Sequence, residues 1–239
     1  MNTSLAQVLE AHGGQALWQS LRTIDIDMAA SGFLFTAKRI PTTKRLRLSM
    51  DVTRPGVTMH DYPLPGHQVR MGPDGAVSWF DGRQSLLEHR AQPRLLFGQI
   101  RRQWRWDVLD FGYFCSYAMW NYLTMPWLLA QHAKVLQERR DSRGRTTLTV
   151  RMADGLPTHS PVQRFCFGPD WHLMRHDYTA EVVGAWAMAA HICADYKSSG
   201  GMAYASRRRV YPTLLGMGPL PWPTLVALDI VSLSVQTAQ

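Results

Sequence analysis

A chain of 239 residues with 46% apolar and 18% charged side chains can bury a full core, which excludes a disordered protein. The formal charge is +8, from 26 Lys and Arg against 18 Asp and Glu. The arginines stand in scattered groups (Arg101, Arg102 and Arg105; Arg139, Arg140, Arg143 and Arg145; Arg207, Arg208 and Arg209) with no nucleic-acid motif among them, so the charge reads as a solvated face and nucleic acid is not an expected partner.

In chain order, residues 1–22 predict two short helices. Ser4 is the candidate cap, Leu5, Val8, Leu9 and His12 share one face, and "HGG" ends the first helix before "QALWQSL" forms the second. From Ile24 the apolar period changes to two. Over 24–90, "TIDIDMAASG", "FLFTAKRI", "KRLRLSMDV", "GVTMHDY", "HQVRMG", "AVSWFDG" and "SLLEHR" predict a first meander of short strands, with Gly32, Pro41, "PDG" and "FDG" as turns. Residues 93–129 interrupt it with "PRLLFGQIRRQ", which predicts a helix, and with the apolar stretch that follows. Over 133–236 a second meander runs through "AKVLQER", "RTTLTVRM", "VQRFCFG", "WHLMRHDYTAEVV", "AWAMAAHICADY", "MAYASRRRVY" and "TLVALDIVSLSV". No linker is visible, so one domain over 1–239 is expected. Its class is α+β, a large antiparallel sheet with a helical insertion, and so many strands predict that the sheet curls.

The insertion contains "DFGYFCSYAMWNYLTMPWLLA", Asp110–Ala130, long enough to cross a bilayer. Ser116, Asn121 and Thr124 interrupt it and Pro126 stands near its end, so no transmembrane segment is expected. The stretch predicts instead an interior helix of about four turns. Tyr113, Tyr117 and Trp120 recur at i, i+4 and i+7 on one face. They are either ordinary core or the wall of a cavity for a mostly apolar ligand with a few polar groups.

No CxxC, HExxH, GxSxG, P-loop or GxGxxG motif occurs, and no cofactor is expected. His172 and His176 have the spacing of paired ligands on a helix, but on a strand they sit ~13 Å apart and share no metal. The best cluster lies in "HLMRHDYTAEVVGAWAMAAHICADY". A turn centred on Gly184 pairs Tyr178 with His191 and His176 with Cys193, and alternation puts His176, Tyr178, His191, Cys193 and Asp195 on one face, with Asp195 in reach of His176. A hairpin at "SSGG" adds Tyr204, Ser206 and Arg208. A histidine oriented by a carboxylate beside a tyrosine hydroxyl is a workable acid–base set, so His176, Tyr178, His191 and Asp195 are the catalytic candidates. Cys193, Tyr204 and Arg208 join Tyr113, Tyr117 and Trp120 as candidate ligand contacts. The alternative is a satisfied polar row on a curved sheet.

Three cysteines, Cys115, Cys166 and Cys193, odd in number and in apolar surroundings, predict reduced thiols. The opening "MNTSLAQVLEAHGGQALW" has no basic start followed by an apolar run, so a cytoplasmic location is expected.

The opening "AHGGQALWQSLRTIDIDMAASG", the meander, the helical interruption and the long closing strands together resemble the LolA/LolB/LppX-like lipoprotein-carrier superfamily. The resemblance spans most of the chain in element order. It implies an incomplete (half-open) β-barrel wrapped around helices on its concave side, with an apolar cavity between. Those carriers are exported, whereas this sequence shows neither signal peptide nor lipobox cysteine near its start. Lipoprotein sorting and catalytic residues are therefore not implied. Two functions remain: binding of a hydrophobic small molecule or lipid, or a cofactor-independent isomerase, cyclase or hydrolase in the same cavity.

Overall fold

Alternation of buried and half-exposed side chains builds the sheet. In β1 (Leu21–Ser31), Ile24, Ile26, Met28 and Ala30 are buried, while Asp25 and Asp27 between them face the other way. The computed structural model describes residues 2–40, 43–213 and 218–238. Ahead of β1 stand α1 (Thr3–Ala11) and α2 (Gly14–Ser20). After it come α3 (Phe33–Ala37), β2 (Thr43–Asp51), β3 (Val57–His60), β4 (Gln68–Met71), β5 (Val77–Phe80) and β6 (Leu86–Arg90). The helical insertion is α4 (Pro93–Leu96), α5 (Ile100–Trp104) and α6 (Val108–His132). The second meander is β7 (Ala133–Arg140), β8 (Thr146–Met152), β9 (Val162–Phe167), β10 (Leu173–Thr179), β11 (Met188–Ser199), β12 (Met202–Pro212) and β13 (Val226–Thr237).

All thirteen strands form one antiparallel sheet, ordered β6-β5-β4-β3-β2-β1-β13-β12-β11-β10-β9-β8-β7. Each meander is a run of local hairpins, and the two meet where β13 pairs with β1, Ile24 opposite Val235 and Ala30 opposite Leu228. The sheet curls without closing, with β6 and β7 as its edges. Both edges are blunted by charge: the short β6 carries Glu88 and Arg90, and β7 carries Lys134, Glu138, Arg139 and Arg140.

The concave side is filled by α6. A surface helix buries one stripe, but here residues Leu109 to Pro126 are buried all round, as expected of a helix enclosed by a sheet. Its start is a capping box, with the Asp107 carboxylate accepting from the Asp110 amide at 3.0 Å and Asp110 accepting from the Asp107 amide at 3.2 Å. The buried Asp110 carboxylate also accepts from Arg102 Nε at 2.7 Å and Arg90 Nη1 at 2.8 Å, tying α5 and the edge strand β6 to the helix. At Gly112 the helix comes so close to β4 that an added Cβ would meet Val69 Cγ1 at 2.5 Å. Among the described residues no helix is long and apolar enough to cross a membrane.

Several elements differ from the sequence expectation. "FLFTAKRI" forms α3, because Gly32 at φ 131° turns the chain out of β1 and the amides of Phe33 and Leu34 then donate to Thr224 and Leu225. "PRLLFGQIRRQ" splits into α4 and α5, broken where Gln99 takes an extended conformation. The insertion's main helix is 25 residues, longer than four turns, and continues past Pro126. Asn2, not Ser4, caps α1, its side chain accepting from the Ser4 and Leu5 amides, while Ser4 Oγ donates to Glu138 at 2.6 Å. "HGG" does end α1: Gly13 has φ 114°, and a Cβ there would meet the Gly201 carbonyl oxygen at 2.8 Å in the β11–β12 turn. Pro41 lies outside the described residues.

Candidate ligand-binding site

The β10–β11 hairpin determines which polar groups enter the interior. Its strands stop at Thr179 and resume at Met188, and His176 stands opposite His191 with Tyr178 opposite Ala189. The expected pairing of Tyr178 with His191 is off by two residues, because the connection over 180–187 is folded into its own turns. A shift of two keeps every side chain on its face. His176, Tyr178, His191 and Cys193 therefore all point inward and are buried.

Asp195 does not join them. At φ 54° its backbone leaves the extended region, and its exposed carboxylate pairs with Arg207 at 3.1 Å on the outside. Ser206 Oγ donates instead to the Asp195 carbonyl at 2.6 Å. His176 thus has no carboxylate to orient it; its Nε2 lies 2.6 Å from Gln163 Oε1. Tyr204 is buried on the same strand as Arg208 but four residues away, ~13 Å along β12, outside the cluster.

The group that organises the interior was not foreseen. His159, on the loop between β8 and β9, stacks face to face on Tyr178 with ring centroids 3.8 Å apart. Its Nδ1 is 3.1 Å from the Tyr117 hydroxyl and its Nε2 is 2.9 Å from the Tyr122 hydroxyl, which in turn is 2.8 Å from the Tyr178 hydroxyl. Arg94 of α4 holds the loop by donating to the carbonyls of Thr158 at 2.7 Å and His159 at 3.3 Å and to Glu181 at 2.7 Å. The result is a relay from Tyr117 through His159 and Tyr122 to Tyr178.

Arg208 lies beside this relay, directly opposite Cys193 in the β11–β12 ladder. It is 3% exposed. Its Nη1 donates to Cys193 Sγ and its Nη2 to the Tyr122 carbonyl, both at 3.3 Å. That carbonyl is free because Pro126, four residues on, has no N–H to give it. Arg208 Nε has no partner, and neither ring nitrogen of His191, which is 0% exposed, has one either. The His191 ring meets Tyr122 edge-on at 4.4 Å.

Burial sets the protonation states. His159 is pushed down to about 3 by loss of hydration, with Arg94 adding to the shift. His176 and His191 are driven well below 6.5 by burial first, with Arg208 and neighbouring histidines reinforcing it. Burial raises the phenols of Tyr117 and Tyr122 well above 10, and raises Tyr178 and the Cys193 thiol, which Arg208 opposes for Cys193. At neutral pH this cluster holds neutral imidazoles, phenols and a thiol around the Arg208 guanidinium.

The aromatic face of α6 meets protein on all sides. Tyr113 packs on Phe97 and Tyr117, Tyr117 reaches His159, and Trp120 donates to the Asp51 carbonyl at 2.9 Å. Trp120 thus points away from the histidine row, toward β2. A space of about 20 Å³ lies on another side of α6, where Phe114, Cys115, Ala118, Met119 and Tyr122 face Ala30 of β1 and Val226 and Leu228 of β13. Phe35 of α3 also lines it.

Beside α3, apolar side chains are exposed as well. Phe33 and Trp222 rings lie 6.4 Å apart, Lys38 after α3 donates to the carbonyls of Arg102 and Gln103 at the end of α5, and Arg94 of α4 reaches Glu181 near Trp186. Phe33 and Trp222 are both at least half exposed, as are Leu95 of α4, Ile100 and Trp104 of α5, and Trp186 of the β10–β11 connection.

No family model matches the sequence, and no curated protein matches it. Among solved structures, a LolA superfamily protein from Nitrosomonas europaea aligns over 99% of this chain and 94% of its own, with a TM-score of 0.52 at 10% identity. A DUF1329 family protein from Desulfovibrio piger aligns over 97% and 91%, with a TM-score of 0.43 at 8% identity. The chain has a LolA-like fold.

Proposed function

We propose that the protein binds a hydrophobic small molecule or lipid between the curled sheet and α6. The observation that carries this reading is the seam along α6, where Phe114, Ala118 and Met119 face Ala30, Val226 and Leu228 around unfilled space. A 20 Å³ void admits no ligand as it stands. Binding therefore widens the seam, with flexible Met119 and the short α3 beside it giving way. The exposed aromatic pair Phe33 and Trp222 beside α3 supports the reading, since it offers an apolar ligand apolar surface next to the element that lines the seam. Three cysteines without a disulfide, Cys115, Cys166 and Cys193, fit the reducing cytoplasm that this proposal assumes.

The acid–base alternative draws less support. His176 is oriented by an amide, Asp195 is outside, and burial holds the Cys193 thiol protonated. The test is native mass spectrometry of gently purified protein, with titration of an apolar fluorescent dye. Adducts of lipid mass, or dye binding that Ala118→Phe abolishes while circular dichroism is kept, support the proposal. A protein that carries nothing and ignores dye and fatty acids refutes it.

A further inference from the structure

Two arginines in the described interior are nearly sealed from solvent, and they differ in one respect. Arg102 is paired with Asp110 at 2.7 Å, whereas no carboxylate among the described residues pairs with Arg208. Its acceptors are a thiol sulfur and one backbone carbonyl, both at 3.3 Å, and both weak partners for a guanidinium. Diagonally across the ladder, where His191 pairs with Val210 and Cys193 with Arg208, the imidazole of His191 has two unpartnered nitrogens. Buried cations and buried imidazoles are normally satisfied. Here a guanidinium edge and a ring N–H, on the same face of adjacent strands and both against Tyr122, lack an acceptor in common.

We infer that the acceptor is the carboxylate of an amphiphilic acid, held by Arg208 and His191, with its apolar tail in the seam along α6. This rests on the binding function proposed above and names its ligand class. The guanidinium edge, the free Nε beside an Nη, is the planar fork that a carboxylate matches with two parallel hydrogen bonds. His191 contributes a third donor as a neutral imidazole. Leu228, which lines the seam, pairs with Arg208 across the β12–β13 ladder, so the head-group and tail sites are contiguous.

The experiment is a dye-displacement titration of delipidated protein at pH 7.5 with hexadecanoic acid, hexadecanol, hexadecyl phosphate and butanoate. Wild type is expected to bind the acid at least tenfold more tightly than the alcohol and the phosphate, and butanoate only at millimolar concentration. Arg208→Gln is expected to erase the preference for the acid while leaving the alcohol's affinity within about threefold. Without ligand, Arg208→Gln is expected to melt at or above the wild-type temperature, since it removes an uncompensated buried charge. Equal affinity of wild type for acid and alcohol overturns the head-group site and leaves the apolar seam standing, whatever the fate of the variant. Tighter binding of the phosphate overturns the carboxylate assignment. Failure to bind any long-chain compound or dye overturns the binding function and this inference with it.

Discussion

Replacing Tyr122 by phenylalanine removes a single oxygen from the middle of the buried relay. That oxygen partners His159 Nε2 at 2.9 Å and the Tyr178 hydroxyl at 2.8 Å, and among the described residues neither atom has another hydrogen-bond partner. The substitution therefore orphans two polar groups in a region closed to water. Each orphan costs ~1–3 kcal/mol, so Tyr122→Phe is expected to destabilise the protein by about 2–6 kcal/mol. Tyr178→Phe also removes one hydroxyl, but it leaves Tyr122 bonded to His159. Its expected cost is about 0.5–1.5 kcal/mol. In the double variant the Tyr178 orphan no longer exists, so the sum of the single costs must exceed the cost of the pair. Urea unfolding followed by circular dichroism, with the m-value checked for constancy, gives all three numbers. A Tyr178→Phe that costs as much as Tyr122→Phe, or strictly additive costs, would refute the relay.

Acid is expected to unfold the protein through its interior histidines. The folded values of His159, about 3, and His12, about 4, both lie below the ordinary 6.5, so between those limits the unfolded chain binds more protons than the native one. Stability is then full above pH 6.5 and falls as pH drops toward 4, by ~1.4 kcal/mol per pH unit for each histidine involved; a flat profile over that window in thermal melts would contradict it. Gly112→Ala drives a Cβ into Val69 and is expected to cost about 1–3 kcal/mol, read by urea denaturation, despite alanine's better helix propensity. Asp110→Asn removes the nearest carboxylate from Arg102, while Arg90 keeps Asp107 and Glu88, and is expected to cost about 1–3 kcal/mol in the same assay.

The sheet was readable in the sequence because its signal is periodic. β1 alternates Ile24, Ile26 and Met28 with aspartates, and no tertiary contact has to be known to see it. The same periodicity made the inward face of His176, Tyr178, His191 and Cys193 legible even though the register was off, since the error was an even number of residues. Gln163 was legible by the same rule: Phe165 and Phe167 point inward, so Gln163 must as well. Asp195 was not, because alternation fails at a residue with φ 54° and nothing local in "CADY" announces it. His159 sits in a loop with no period at all, and it reaches Tyr117 and Tyr122 only because Arg94, from α4, holds that loop. The filled interior was hidden for a similar reason: the polar tips of Tyr117 and Trp120 are answered by His159 and the Asp51 carbonyl, partners remote in sequence.

The join between β1 and β13 has a kinetic consequence. Every other pairing in the sheet links neighbours along the chain, so each meander zips up by closing short loops. Ile24 and Val235, by contrast, are roughly two hundred residues apart, and their pairing must wait for the rest. The edge strands β6 and β7 are meanwhile tethered through α4, α5 and α6, so the insertion acts as the hub about which the halves swing shut. Formed last, this seam is the natural place for the barrel to part first. Amide exchange across β1 and β13 is then expected to run faster than within β11 and β12, and slower exchange there would contradict this order of events. Such parting bares the inner faces of both meanders while leaving each of them intact.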